Sequence, residues 1–145
     1  MRTINKLLVS LLLSLTVFTI LPAKAEDPSA LCMAKVIYYE ARGEPLAGKL
    51  AVAKVTLNRV SSGKFPSTVC GVVYQKGQYS WTKGSPPKIT DKRAWQESLN
   101  IATNAVETGL TELDNFKAMY FHSKQVKPIW KLKRSVTIGN HIFYA

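Results

Sequence analysis

Apolar residues recur at helical spacing through most of the chain and alternate near its end. Leu31, Ala34, Ile37, Tyr38 and Ala41 fall on one face, which predicts a helix capped by Ser29 and running to about Ala41. Gly43 is placed to end it, and Pro45 moves Glu44 out of helical geometry. Pro45 also suits a first helical turn and opens a second helix to about Val60. The stripe of that helix is Ala47, Leu50, Ala51, Lys54, Val55 and Asn58, ended by Ser61-Ser62-Gly63. A short segment follows from Phe65-Pro66-Ser67 to Tyr74. The stretch from Gly77 to Pro87 reads as loop, with Tyr79 and Trp81 as aromatics of the exposed type. Thr90 or Asp91 caps a further helix over about Lys92–Glu107. Ala94, Trp95, Leu99, Ala102 and Val106 point inward along it, and Gly109 stops it.

The period then shortens. Residues 118–122 read as a strand. Ser135–Ile138 and His141–Tyr144 flank Gly139-Asn140, the pattern of a β-hairpin with a two-residue turn. In this register His122 shares a face with Tyr120, and His141 with Phe143. Helices first and a small antiparallel sheet last make an α+β plan.

The N-terminus departs from both patterns. Arg2 and Lys6 precede an uncharged run from Leu7 to Leu21, and Ala23-Lys24-Ala25 is a small-x-small cleavage site. The run is shorter than the roughly 20 residues of a membrane span. Residues 1–25 are therefore expected to be a cleaved signal peptide, and 26–145 a single domain with one core. An uncleaved anchor is the other reading of this run. The whole chain has 145 residues and a formal net charge of +11. Removing the three basic residues of the leader leaves +8. Such a balance favours a polyanionic partner. Export to a periplasm or cell envelope argues against nucleic acid and points to an anionic wall polymer, with no stable membrane span after cleavage. Cys32 and Cys70 are the two cysteines. In an exported chain they read as one disulfide.

The chemistry available is limited. No spacing of metal ligands, serine-nucleophile motif or phosphate loop is present, so neither metal nor cofactor is expected. Glu40 and Glu44 stand four positions apart at a helix end, beside Tyr38 and Tyr39. The helix C-terminus and an aromatic setting both favour a protonated carboxyl, while Arg42 opposes it. The same pattern also suits two surface carboxylates paired with Arg42 or a lysine. Asn58 on an apolar stripe needs partners, either as a buried hydrogen bonder or as a site residue. Aromatic and amide side chains around one acid suit a sugar polymer.

The runs Tyr39-Glu40-Ala41-Arg42-Gly43-Glu44-Pro45, Asn58-Arg59-Val60, Val69-Cys70-Gly71-Val72-Val73, Gln78-Tyr79-Ser80-Trp81 and Gly139-Asn140-His141-Ile142-Phe143-Tyr144 together resemble the SleB-type cell wall hydrolases, the catalytic domain of spore-cortex lytic enzymes. The resemblance spans about Ala30 to Tyr144. It implies a lysozyme-like fold and cleavage of peptidoglycan glycan strands between N-acetylmuramic acid and N-acetylglucosamine, with Glu40 as the catalytic acid. Members that are lytic transglycosylases release a 1,6-anhydro product. Glu44 and His122 are candidates to support Glu40. Tyr39, Asn58, Gln78, Tyr79, Ser80, Trp81, Tyr120 and His141 are candidates to bind substrate. A catalytically silent wall-binding protein and an enzyme of another aminosugar polymer remain open alternatives at this point.

Overall fold

The structure, a computed structural model, describes residues 25–145; the predicted leader lies outside them except for Ala25. Its first helix, α1 (Pro28–Ala41), begins two residues earlier than a cap at Ser29 would place it. Asp27, not Ser29, caps it, accepting a hydrogen bond from the Ser29 amide at 2.7 Å. Pro28 explains the shift, because its fixed φ suits the first helical position and moves the cap back to Asp27. The far end also differs from expectation. Gly43 does not adopt a left-handed cap. Arg42 keeps right-handed geometry, and the Glu44 amide returns to the Ala41 carbonyl at 2.9 Å. Pro45, in extended conformation, then caps α2 (Leu46–Ser61).

Helix α1 is not amphipathic in the expected sense. Met33, Ala34, Val36, Ile37, Tyr38 and Ala41 are all buried, so apolar neighbours cover most of it and leave one half-exposed edge at Leu31, Lys35 and Tyr39. It packs against α2, the short α3 (Val69–Val73) and α4 (Lys92–Thr108). The Cys32–Cys70 disulfide joins α1 to α3. Its loop of 38 residues' separation implies about 4 kcal/mol of chain-entropy stabilisation. Helix α4 has the predicted caps, Asp91 at the start and left-handed Gly109 at the end. Its buried face is rotated, with Ser98, Ile101 and Ala105 inside beside Ala94 and Ala102. Ser98 is accommodated because its hydroxyl donates to the Ala94 carbonyl at 2.8 Å.

Three antiparallel strands complete the fold: β1 (Tyr120–Ser123), β2 (Arg134–Ile138) and β3 (His141–Tyr144). The order β1-β3-β2 puts the last strand in the middle. His122 pairs with Ile142, and Phe121 with Phe143. One face of the sheet carries Phe121, Phe143 and Ile138 onto the helical core. The other carries Tyr120, His122 and Tyr144, covered by Trp130. The result is the α+β plan expected, with a groove where the end of α1 meets the sheet.

Candidate active site

Glu40 occupies the last turn of α1, between the half-buried Tyr39 and the buried Ala41, at the side of the helix that meets the groove. Its carboxylate receives one hydrogen bond, from the Trp81 indole N–H to Oε1 at 2.8 Å. Trp81 sits in a short 3-10 turn (Ser80–Thr82) and is buried, stacked on Tyr79 at 5.6 Å and against Tyr39 at 4.7 Å. The aromatics of this loop are thus not exposed, as Tyr79 and Trp81 were expected to be; they form the wall behind Glu40. Arg42 does not reach the acid. Its Nη1 donates to the Tyr38 hydroxyl at 3.1 Å, and the guanidinium lies over the Tyr38 ring. No cation is paired with Glu40 among the described residues. Burial therefore pushes its carboxyl pKa up, and the Trp81 hydrogen bond only partly opposes this.

In front of Glu40 lies a groove of about 570 Å³. Its floor and rim include Glu44, Arg59, Gln78, Ser80, Tyr120 and His141. Glu44 crosses from the start of α2 to the β2–β3 turn, where Oε2 accepts from the Asn140 amide at 2.8 Å. That close approach requires glycine at 139. Gly139 has φ +56°, and a Cβ there would lie 1.9 Å from Glu44 Oε2. Glu44 thus fastens the helical half of the groove to the sheet.

The matched family, Cell Wall Hydrolase, aligns with residues 43–144. The chain belongs to the cell wall hydrolase family. The spore cortex-lytic enzyme of Oceanobacillus iheyensis is 35% identical over 115 residues, covering 77% of this chain and 39% of that protein. That of Bacillus subtilis is 30% identical over 115 residues, covering 77% and 35%. The chain therefore spans well under half the length of these relatives. Among solved structures, the catalytic domain of the germination-specific lytic transglycosylase SleB from Bacillus anthracis superposes with a TM-score of 0.60 at 30% identity. It covers 86% of this chain and the whole of that one. The SleB catalytic domain of Bacillus cereus gives 0.57 at 29%, over 84% and 94%.

Within this family member, the predicted residues divide into three groups. Glu40, Glu44, Gln78, Tyr79, Ser80, Tyr120, His122 and His141 line the groove together. Tyr39 and Trp81 lie behind it, Tyr39 donating its hydroxyl to the Pro87 carbonyl. Asn58 does not reach it: Nδ2 donates to the Phe116 and Ala118 carbonyls at 2.7 and 3.0 Å, tying α2 to the segment before β1. Its place on the apolar stripe is thus a structural one.

The two histidines differ. His122 donates from Nδ1 to the Ser123 carbonyl at 2.7 Å, and its Nε2 meets the Tyr144 hydroxyl at 2.8 Å. With both ring nitrogens engaged, it makes no hydrogen bond to Glu40. His141 packs edge-on to Phe121 and has a buried Nδ1 with no partner. Burial pulls its pKa down, which outweighs the opposing pull of Glu44.

Arg59 is the charged groove residue that sequence reasoning missed. It is 4% exposed, donating from Nε to the Met119 carbonyl and from Nη1 to Gln78 Oε1. Its guanidinium lies over Phe65 and Tyr120. A charged residue that neighbours Asn58 in the last turns of an apolar helix was the available signal.

Proposed function

We propose that this chain cleaves the β-1,4 bond between N-acetylmuramic acid and N-acetylglucosamine in peptidoglycan, as a lytic transglycosylase with Glu40 as its acid and then its base. The observation that carries the reading is a desolvated carboxyl at the groove, with one neutral donor and no cation, in a member of the cell wall hydrolase family. Such a group retains its proton at higher pH than an ordinary glutamate, as an acid catalyst needs.

Protonated Glu40 gives its proton to the glycosidic oxygen while the bond from that oxygen to muramoyl C1 breaks. N-acetylglucosamine leaves with a free 4-hydroxyl. The Glu40 carboxylate then takes the proton of the muramoyl 6-hydroxyl, and that oxygen bonds to C1, closing the anhydro ring. Glu40 ends protonated, as it began. A two-carboxylate hydrolase would need a second free acid facing the sugar. Glu44 is the nearby candidate, and its Oε2 is occupied by the Asn140 amide. The polar groove suits a glycan strand, with Arg59 and the exposed Ser80 on its lining. The leader-like N-terminus and the family together support an exported enzyme of the cell envelope.

The test is digestion of purified sacculi by the chain without residues 1–25, wild type and Glu40→Gln, with soluble products identified by mass. Wild-type products lacking one water relative to reducing muropeptides, absent with Glu40→Gln, are the expected result. Reducing products would replace the transglycosylase with a muramidase. Sacculus binding without any product would convert the reading to a wall-binding protein.

A further inference from the structure

Away from the acid, the segment between β1 and β2 has an unusual surface. Six large hydrophobic side chains are exposed among the described residues; three of them, Val126, Ile129 and Trp130, fall within this stretch, and a fourth, Val136, lies in the adjoining β2. Ile129 at its apex is 98% exposed and Val126 is 50% exposed. Cations are interleaved with them: Lys124, Lys127, Lys131, Lys133 and Arg134. No acidic residue follows Asp114 in the chain.

The strap is held in shape at both roots. The Val126 amide returns to the Ser123 carbonyl, and Gln125 exchanges two side-chain hydrogen bonds with Asn140. At the other end, the Ala145 amide binds the Lys133 carbonyl. Trp130 packs on Tyr120, His122 and Tyr144 and supports the strap from below. The fold thus presents a bare isoleucine, ringed by lysines, on a built platform rather than folding it inward.

We propose that this strap docks the protein onto an anionic lipid bilayer surface, with Ile129 entering the acyl boundary and the lysines meeting the headgroups. An aliphatic side chain gains nothing from a polyhydroxyl glycan, whose rings favour aromatic faces, but gains from hydrocarbon. Interleaved lysines supply the attraction to anionic headgroups. The same charges oppose pairing of two straps from two copies of the chain. Docking is peripheral, since no helix of the described residues is long and apolar enough to cross a membrane. Val126 and Trp130 also border the groove, so docking would hold the groove beside the membrane face.

The experiment is co-sedimentation of the chain without residues 1–25 with vesicles of phosphatidylcholine, alone or mixed with phosphatidylglycerol, over a range of salt. Wild type, Ile129→Ser and the combined Lys127→Gln, Lys131→Gln, Lys133→Gln variant are compared, with circular dichroism as the check on folding. Binding is expected only with phosphatidylglycerol, weakening as salt rises. Ile129→Ser is expected to weaken it about tenfold, and each lysine removed about fivefold. Equal binding to phosphatidylcholine alone would overturn the proposal, as would an Ile129→Ser variant that binds like wild type. A protein that ignores both vesicles but binds sacculi through the same lysines would assign the strap to the wall polymer instead. None of these outcomes depends on lytic activity, so this idea and the proposed reaction fail separately.

Discussion

Lys54 and Glu40 are both ionisable side chains carried into the interior by long helices, and the fold treats them in opposite ways. Lys54 is 5% exposed, and its ammonium has an acceptor for each of its three donors: the Gly109 and Leu110 carbonyls and Asp114 Oδ1, at 2.9, 3.0 and 2.7 Å. Those bonds hold the turn after α4, where Leu110 adopts a left-handed φ of +48°. Glu40 has one donor for two oxygens and, among the described residues, no ion pair. A satisfied buried charge fixes structure, whereas an under-satisfied one stores a proton affinity that chemistry can use. Full satisfaction therefore accompanies a scaffold role at Lys54, and its lack sets Glu40 apart as the candidate site's acid.

The sharpest way to break this contrast is Glu40→Gln. Sacculus digestion should fall by at least about a hundredfold, the usual scale of a lost general acid. Stability should move the other way. Burial raises the folded pKa of Glu40 above the ordinary 4.5. The folded state then holds more proton than the unfolded one between those two values, and stability is lost as pH rises through that window. Glu40→Gln should melt above wild type at neutral pH, with no difference below the ordinary carboxyl pKa. A variant that melts lower at neutral pH would show Glu40 to be scaffold after all.

Lys54→Met should do the reverse. Leaving two buried carbonyls without donors should cost about 3 kcal/mol, read from urea midpoints. Activity per folded molecule should be unchanged. A smaller loss, about 2 kcal/mol, is expected for Gly139→Ala, because the new Cβ meets Glu44 at a backbone angle that disfavours side chains. Here activity should fall as well, since the Glu44 clamp sets the groove. The mildest change is Trp81→Phe. Removing the indole donor takes away the one interaction that lowers the Glu40 pKa, so the alkaline limb of the pH–activity profile should move to higher pH.

Much of the architecture was legible because it is local. The α2 and α4 boundaries follow from Pro45, Asp91 and Gly109, and the hairpin from Gly139-Asn140 between alternating runs. The misread features depend on partners distant in sequence. Trp81 lies in a Gly-, Ser- and Pro-rich stretch that reads as exposed loop, and only α1, 41 positions earlier, makes it interior. Asn58 and Arg59 are adjacent and polar, yet one ties down backbone and the other enters the groove. Their fates are decided by Phe116, Ala118 and Met119, about 60 residues on. Glu40 was placed correctly at a helix end, but its release from Arg42 depended on the Tyr38 hydroxyl, which no periodicity shows.

The sheet order has a consequence for assembly. Strand β3, the latest in the chain, must enter between β1 and β2, and it brings the turn that Glu44 grips across 96 positions. The pairing of α1 with α2 spans a short connection and can form early, while so distant a closure comes late and slowly. A chain with its helices formed but β3 undocked would therefore already hold Glu40 in place, yet have no closed groove in front of it. Closure of the groove thus waits on the β2–β3 turn and on β3, so the sheet, and not the helices, completes the candidate site.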